Sequence, residues 1–324
     1  MNIAYIDMNF DDTIEDYHYS PKRYGGGRII ASALLYKLDT FDIYSNSESF
    51  VNIEKSKQNQ CFSLDNAARQ KIKNGDNIKK YIPNCDKYDI FLHHFSNVFL
   101  NLEGCRSQKQ AVWSVGWREQ INPNNKNILL FDHIGQEPQM VGNHKIFKIV
   151  IGPKFEQFKK YDKEDIIFQC SRHFPLYQSI AVAQLALKYN IKTYFAGPIE
   201  NGYPLIDFID NKNTFYLGVI DSETKQDFYK RAKLNTQFQN YPISATLAGK
   251  EAASYGCGIL ACPVGGWNLF IKEGLNGFFI NNEIDFINAW EKRGELKQQN
   301  CYNLGLPHSE ENMINSVLNA LKAI

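Results

Sequence analysis

With 324 residues, 44% of them apolar and 14% aromatic, the chain is long enough for two domains with real cores. Its 36 basic and 35 acidic side chains leave a net charge of +1, which argues against a polyanion as the main partner but leaves room for a local basic face. The seven cysteines, Cys61, Cys85, Cys105, Cys170, Cys257, Cys262 and Cys301, are odd in number, scattered and without a CxxC pair. Free thiols in a reducing compartment are expected, with no zinc or other metal site.

The N-terminal stretch MNIAYIDMNFDD turns acidic within a few residues and has no basic leader or long apolar run. Neither a signal peptide nor a membrane anchor is expected, and the expected location is the cytoplasm. Residues 2–7 (NIAYID) read as a short strand. A polar, Tyr-rich loop follows, then YGGGR at 24–28 and the run IIASALLYKL, where Ile30, Leu34 and Leu38 share one helical face. FDIYS at 41–45 is the next strand, and strand, Gly-rich loop, helix, strand makes a βαβ unit with a parallel sheet. Further strands are expected at 88–95 (YDIFLHHF), 111–117 (AVWSVGW) and 127–132 (NILLFD). IFKIVIGPKF at 146–155 leads to the charged stretch KKYDKED at 159–165, read as the interdomain linker.

A second alternation starts at Ile166: IIFQCS as strand, LYQSIAVAQLALKYN as helix, IKTYFAGP and NTFYLGVI as strands, and SETKQDFYKRAK as a polar helix. From Glu251 to Ile280 a helix carries one acid into a small-residue turn, a short buried strand and a Gly-Gly loop. A second helix is then expected to run to Asn276-Gly277 before another strand. A last helix has Ser309 as N-cap, Glu310 and Glu311 in its first turn, and Met313, Val317, Leu321 and Ile324 on one face. The expected fold is therefore α/β, two doubly wound Rossmann-like domains around a cleft, with boundaries at 1–155 and 156–324. The last helix, 309–324, is a candidate for packing back on the first domain.

Several groups carry chemistry in this frame. A Gly-rich loop opening a helix offers backbone N–H groups to an anion, and a nearby carboxylate can grip a sugar hydroxyl. The segment EAASYGCGILACPVGGWNLF holds both, in Glu251 and the loop Val264–Leu269. Gly25, Gly26 and Gly27 let a backbone approach a diphosphate or sugar, although the spacing is not GxGxxG and a plain strand–helix turn reads the same way. His93 and His94 end a strand at the edge where such sheets bind ligands. Arg118-Glu119 and Asp132-His133 are weaker candidates. The basic segment 66–80, with Arg69, Lys71, Lys73, Lys79 and Lys80 against Asp76, reads better as a solvated face than as a membrane or nucleic-acid patch.

The order of elements from Ile166 to Phe279, with YGGGR and its helix near the N-terminus, resembles the GT-B glycosyltransferases of the family-4-like group. That resemblance implies a donor site in the second domain, an acceptor site mainly in the first, and sugar transfer without an obligatory metal or cofactor, with retention at the anomeric carbon. It implies that Arg172, beside Ser171, neutralises a diphosphate, and that Glu251 accepts from the ribose hydroxyls. Gly265, Gly266, Trp267, Asn268 and Leu269 would hold the β-phosphate and sugar, and Gly218 and Val219 in YLGVI would meet the base. His94 would face the transferred sugar, with Gly25, Gly26 and Gly27 nearby. The sequence departs from the family where it has Ile243 and Leu269 instead of acids, and Pro175–Gln178 instead of a lysine.

The reading is a glycosyltransferase using a nucleotide sugar, UDP-linked, with an acceptor hydroxyl on a glycan, a lipid-linked sugar, a small molecule or a modified nucleobase. The departures motivate a second reading, a non-catalytic nucleotide-sugar-binding protein of the same fold. A sugar-nucleotide epimerase of that fold is a third. The oligomeric state is not legible.

Overall fold

A computed structural model of the chain describes residues 1–7, 41–45, 61–94, 100–115, 127–131, 145–149, 152–240 and 245–323. Contacts divide these into two compact units. One holds the described residues up to Ile149 together with Glu311–Ala323, and the other holds Gly152–Glu310. The glycines at 25–27, the amphipathic run at 29–38, Arg118-Glu119, Asp132-His133 and Ile243 lie outside the described residues.

The first unit is built on seven parallel strands: β1 (Ile3–Asp7), β2 (Phe41–Ser45), β3 (Cys61–Ser63), β4 (Ile90–His94), β5 (Gln110–Val115), β6 (Asn127–Phe131) and β7 (Lys145–Ile149). Their order is β3-β2-β1-β4-β5-β6-β7. Ile3 to Ile6 are all at most 1% exposed, as expected of a central parallel strand covered on both faces. Helix α1 (Asn66–Lys73) starts where the Asp65 carboxylate accepts the Ala68 N–H at 2.7 Å, and it ends with Lys71 and Lys73 in its last turn. Arg69 in this basic segment is fully buried, while Lys79 pairs with Asp86 at 3.4 Å and Lys80 with Asp76 at 3.6 Å. The segment neutralises much of its own charge.

The expectation of free thiols throughout is corrected at one pair. Cys85 and Cys105 form a disulfide with Cα atoms 5.5 Å apart, whereas Cys170, Cys257, Cys262 and Cys301 are free. The two bonded cysteines are 20 residues apart and meet only because both enter one apolar cluster with Ile78, Ile82 and Leu102. No spacing motif announces such a bond.

The second unit has six parallel strands: β8 (Glu164–Cys170), β9 (Thr193–Ala196), β10 (Thr214–Tyr216), β11 (Ala232–Gln237), β12 (Gly258–Ala261) and β13 (Gly277–Phe279), in the order β10-β9-β8-β11-β12-β13. Its helices are α2 (Ser179–Tyr189), α3 (Ser222–Arg231), α4 (Leu247–Ser254), α5 (Trp267–Phe270), α6 (Glu283–Glu291) and α7 (Gln298–Gly305). Neighbouring residues on a strand feed opposite cores. Phe168 joins Phe228, Ala252, Ile259 and Trp267 on one face, while Ile167 joins Val182, Leu234, Leu260 and Phe286 on the other. The charged stretch 159–165 leads directly into this sheet: Asp165 lies in β8 and binds Lys233 at 2.6 Å and Arg293 at 2.8 Å. Helix α8 (Glu310–Ala323) belongs to the first unit and buries Met313, Val317 and Leu321.

Four elements of the second unit differ from expectation. Strand β11 (AKLNTQ) is absent from the sequence reading, as are α6 and α7. The helix expected to reach Asn276 stops at Phe270, because buried Asn276 closes a turn instead: its Oδ1 accepts the Lys272 N–H at 2.7 Å and its Nδ2 donates to the Phe270 carbonyl at 3.0 Å. Among the described residues no helix is long and apolar enough to cross a membrane.

Reducing the Cys85–Cys105 bond should lower stability by about 3 kcal/mol, the loop-closure entropy for a crosslink of this span. Urea denaturation with and without dithiothreitol measures this, and coincident midpoints would show that the bond contributes nothing.

Candidate functional site

The chain order of the second sheet reverses between β8 and β11. From β8 it runs outward to β9 and β10, then returns to β11 on the other side and continues to β12 and β13. Connections leaving the carboxyl ends of β8 and β11 diverge and open a crevice there, the place where open α/β sheets bind ligands. Ser171 and Arg172 follow β8, Phe238 and Gln239 follow β11, and the loop Cys262–Gly266 follows β12.

The central strand β11 ends in polar residues that are nevertheless buried, and a single run of hydrogen bonds explains how. Asn235 Nδ2 donates to the Phe168 carbonyl of β8 at 2.7 Å, and Gln237 Nε2 donates to Asn235 Oδ1 at 2.8 Å. Thr246 Oγ1 donates to Gln237 Oε1 at 2.7 Å and accepts the Gly249 N–H at 3.2 Å, capping α4. The relay fixes the start of the helix that carries Glu251.

Arg172 stands in a turn braced by His173. The imidazole is buried, with Nδ1 2.8 Å from Ser179 Oγ and Nε2 3.1 Å from the Ala196 carbonyl. A carbonyl only accepts, so the proton sits on Nε2 and Nδ1 accepts from the serine. The brace leaves Arg172 about two-fifths exposed, with Nη2 3.6 Å from Glu200 Oε1 and the guanidinium 5.2 Å from the Phe174 ring centre. A half-exposed pair of this kind contributes little to stability and can yield to a better anion.

Glu251 Oε2 lies 2.8 Å from Lys225 Nζ of α3, each side chain about a quarter exposed. Both act on Cys170 at the end of β8: burial pushes that thiol up to about 11, Lys225 pulls it down and Glu251 pushes it up. Tyr229, fully buried beside the same group, is pushed well above the ordinary tyrosine range, first by burial. Glu251 therefore belongs to the crevice end of β8.

In the loop after β12, Gly265 takes φ 58° and Gly266 starts the one-turn helix α5. The amides of Trp267, Asn268 and Leu269 turn back to Val264, Gly265 and Gly266 at 3.4, 3.3 and 3.1 Å. The amides of Gly265 and Gly266 make no hydrogen bond among the described residues. A helix of one turn aligns few peptide dipoles, so individual amides, rather than a macrodipole, are what this loop offers an anion. The Trp267 side chain is fully buried against Gly249, where any Cβ would collide with the indole.

Four more polar atoms, on or just past β8 and β11, are buried without a partner among the described residues: Gln169 Oε1, Ser171 Oγ, Thr236 Oγ1 and Gln239 Nε2. Each such atom costs about 1–3 kcal/mol. A buried polar atom in that state calls for a partner such as a water, an ion or a ligand.

In the first unit the corresponding reversal lies between β1 and β4, where Asp7 is opposite His94. His93 is fully buried, and burial holds it down to about 3, so it is a neutral core imidazole. Only the backbone of His94 is among the described atoms. No three His, Cys, Asp or Glu side chains gather as a metal-ligand set among the described residues.

No protein-family model and no curated protein matches this sequence. Solved structures do match over its whole length. HepE of Anabaena, solved with UDP, superposes with a TM-score of 0.68 at 11% identity over 100% of both chains. A glycosyltransferase of Rickettsia africae gives 0.71 at 14% identity over 99% of this chain and 98% of its own. Sucrose-phosphate synthase of Thermosynechococcus elongatus gives 0.67 at 12% identity over 100% and 99%. The fold is that of the GT-B glycosyltransferases.

Within this GT-B fold the second sheet brings Ser171, Arg172, Glu251, Gly265 and Gly266 to one switch point. Gly218, with φ 71°, lies after β10 and accepts the Gly197 N–H at 2.8 Å, and Val219 beside it is exposed. Asn268 donates to the Pro263 carbonyl at 3.3 Å, and Leu269 is exposed. Lys225, His173 and Gln239 escaped the sequence reading. A lysine in a polar helix and polar residues after an unrecognised strand give no signal until the sheet is assembled.

Burial holds His93 down to about 3 and both His173 and His308 down to about 4, against an ordinary value of 6.5. Below about pH 6.5 the unfolded chain binds the extra protons, so stability is full above that pH and falls as the pH drops toward 4. Urea midpoints from about pH 7.5 to about pH 4.5 should decline accordingly, and His173→Gln should flatten part of the decline. A level profile would contradict the burial of neutral imidazoles.

Proposed function

We propose that this chain is a glycosyltransferase that moves a sugar from a nucleoside diphosphate sugar, UDP-linked, onto an acceptor hydroxyl with retention at the anomeric carbon. The observation that carries the proposal is the placement of a guanidinium, a carboxylate and two loop amides without a partner among the described residues around one switch point of a GT-B fold. HepE, of the same fold, has been solved with UDP and with UDP-glucose, which supports the uridine reading.

Each residue has a role set by its chemistry. Arg172 exchanges Glu200 for the diphosphate, whose oxygens suit its planar fork. The Gly265 and Gly266 amides add donors to the same group. Breaking the bond between the anomeric carbon and the β-phosphate oxygen leaves negative charge on the diphosphate, and these fixed donors stabilise it as it forms. Glu251, placed by its 2.8 Å contact with Lys225, accepts from the ribose hydroxyls. Gly218 and Val219 present backbone to the base.

Arg172→Met should weaken UDP binding by about tenfold to a hundredfold, and Glu251→Gln by about tenfold, the usual weight of hydrogen bonds to charged groups. Calorimetry with UDP, after a thermal-shift panel of UDP-, GDP- and ADP-sugars, measures both. Equal UDP affinity in all three proteins would remove these residues from the site. Binding of a UDP-sugar without UDP release, whatever acceptor is supplied, would favour a non-catalytic binding protein of this fold.

A further inference from the structure

The indole N–H of Trp267 can only donate, and it lies 2.9 Å from Oε1 of Gln239. An amide whose oxygen is held this way must turn its NH2 elsewhere, so chemistry fixes the orientation of Gln239. The two residues are 0% exposed, and a flipped amide would set its NH2 against the indole N–H, so the orientation holds. Among the described residues Gln239 Nε2 nevertheless meets no acceptor. It stands two residues past β11, with its backbone against the Cys262 thiol that begins the loop to Gly265 and Gly266. A rigid, buried, oriented donor at a ligand crevice calls for an acceptor oxygen from the ligand.

We infer that Gln239 donates from Nε2 to an uncharged hydroxyl oxygen of the transferred sugar and so determines which sugar the donor carries. The inference rests on the reading of the second unit as a nucleotide-sugar site. The diphosphate already has a cation in Arg172 and amides in Gly265 and Gly266, whereas Gln239 is neutral and fully desolvated. A neutral buried donor discriminates well between sugars. A sugar lacking the matching oxygen leaves Nε2 unpaired, and sites built to bond a hydroxyl reject the analogue that lacks it.

Two variants separate the halves of the amide. Gln239→Glu keeps an oxygen for the Trp267 indole and, at a pH where the carboxylate is ionised, removes the donor, and Gln239→Met removes both. The unaltered chain and both variants are titrated calorimetrically with UDP, UDP-glucose, UDP-galactose and UDP-N-acetylglucosamine. The 2-, 3-, 4- and 6-deoxy forms of the tightest of these sugars follow. One deoxy form should bind the unaltered chain at least about tenfold more weakly than its parent sugar; both variants should lose that discrimination, and Gln239→Glu, which keeps an acceptor for the indole, should hold UDP within about twofold. Variants that bind the parent sugar as tightly as the unaltered chain and still reject the deoxy form would overturn the inference and leave the transferase reading intact. An unaltered chain that binds neither UDP nor any UDP-sugar would instead remove the transferase reading, and this inference with it. Should neither variant fold, equal affinity of the unaltered chain for the parent and every deoxy form would overturn the inference by itself.

Discussion

A polar strand at the centre of a parallel sheet is tolerable only if its side chains bond one another, and β11 meets that constraint with one directed relay. Asn235, Gln237 and Thr246 pass hydrogen bonds from the β8 backbone to the first turn of α4. Each member gives its hydrogen toward β8 and receives one from the α4 side, so the order cannot be reversed without leaving a buried donor or acceptor orphaned. The placement of α4, and therefore of Glu251, follows from that relay. So does the position of Gln239, two residues beyond the strand. Replacing any link by an apolar residue would strand its neighbours, which is why this polar run sits where a valine-rich strand would ordinarily be found.

Around that frame the charged groups are paired loosely. Arg172 shares a half-exposed contact with Glu200, and Glu251 a partly exposed one with Lys225. Pairs at this exposure keep their charges solvated and contribute little to folding, so a ligand can displace one partner at small cost. The rigid elements are neutral: the His173 imidazole between Ser179 and Ala196, and the Trp267 indole between Gly249 and Gln239. Neutral hydrogen bonds hold the geometry, and exposed ions remain available for chemistry. This division of labour suits the proposed binding and release of a diphosphate.

How much of this could be read from the residues depended on whether the signal was local. The strands at 3–7, 41–45 and 90–94 and helix α2 were legible because apolar runs and helical periodicity are properties of neighbours in sequence. Strand β11 was not, because AKLNTQ has neither an apolar run nor a clean alternation, and its polar residues become acceptable inside only when β8 and α4 supply partners. The Cys85–Cys105 bond and the short α5 failed for the same reason: a distant thiol and a buried Asn276 decided them. Arg172, Glu251 and Gly265-Gly266 were visible as residues of the right type at turn positions. Their partners Glu200 and Lys225 were not.

The α/β class, the parallel strands and the residue types able to hold a diphosphate and a ribose follow from periodicity, glycine placement and side-chain chemistry, which need no knowledge of distant contacts. That β8 and β11 are neighbours across a reversal of strand order emerges only when the sheet is assembled. That adjacency puts Arg172, Glu251, the loop amides and Gln239 at one switch point, because hydrogen-bonding partners across a sheet are chosen by the assembled core and not by either strand alone.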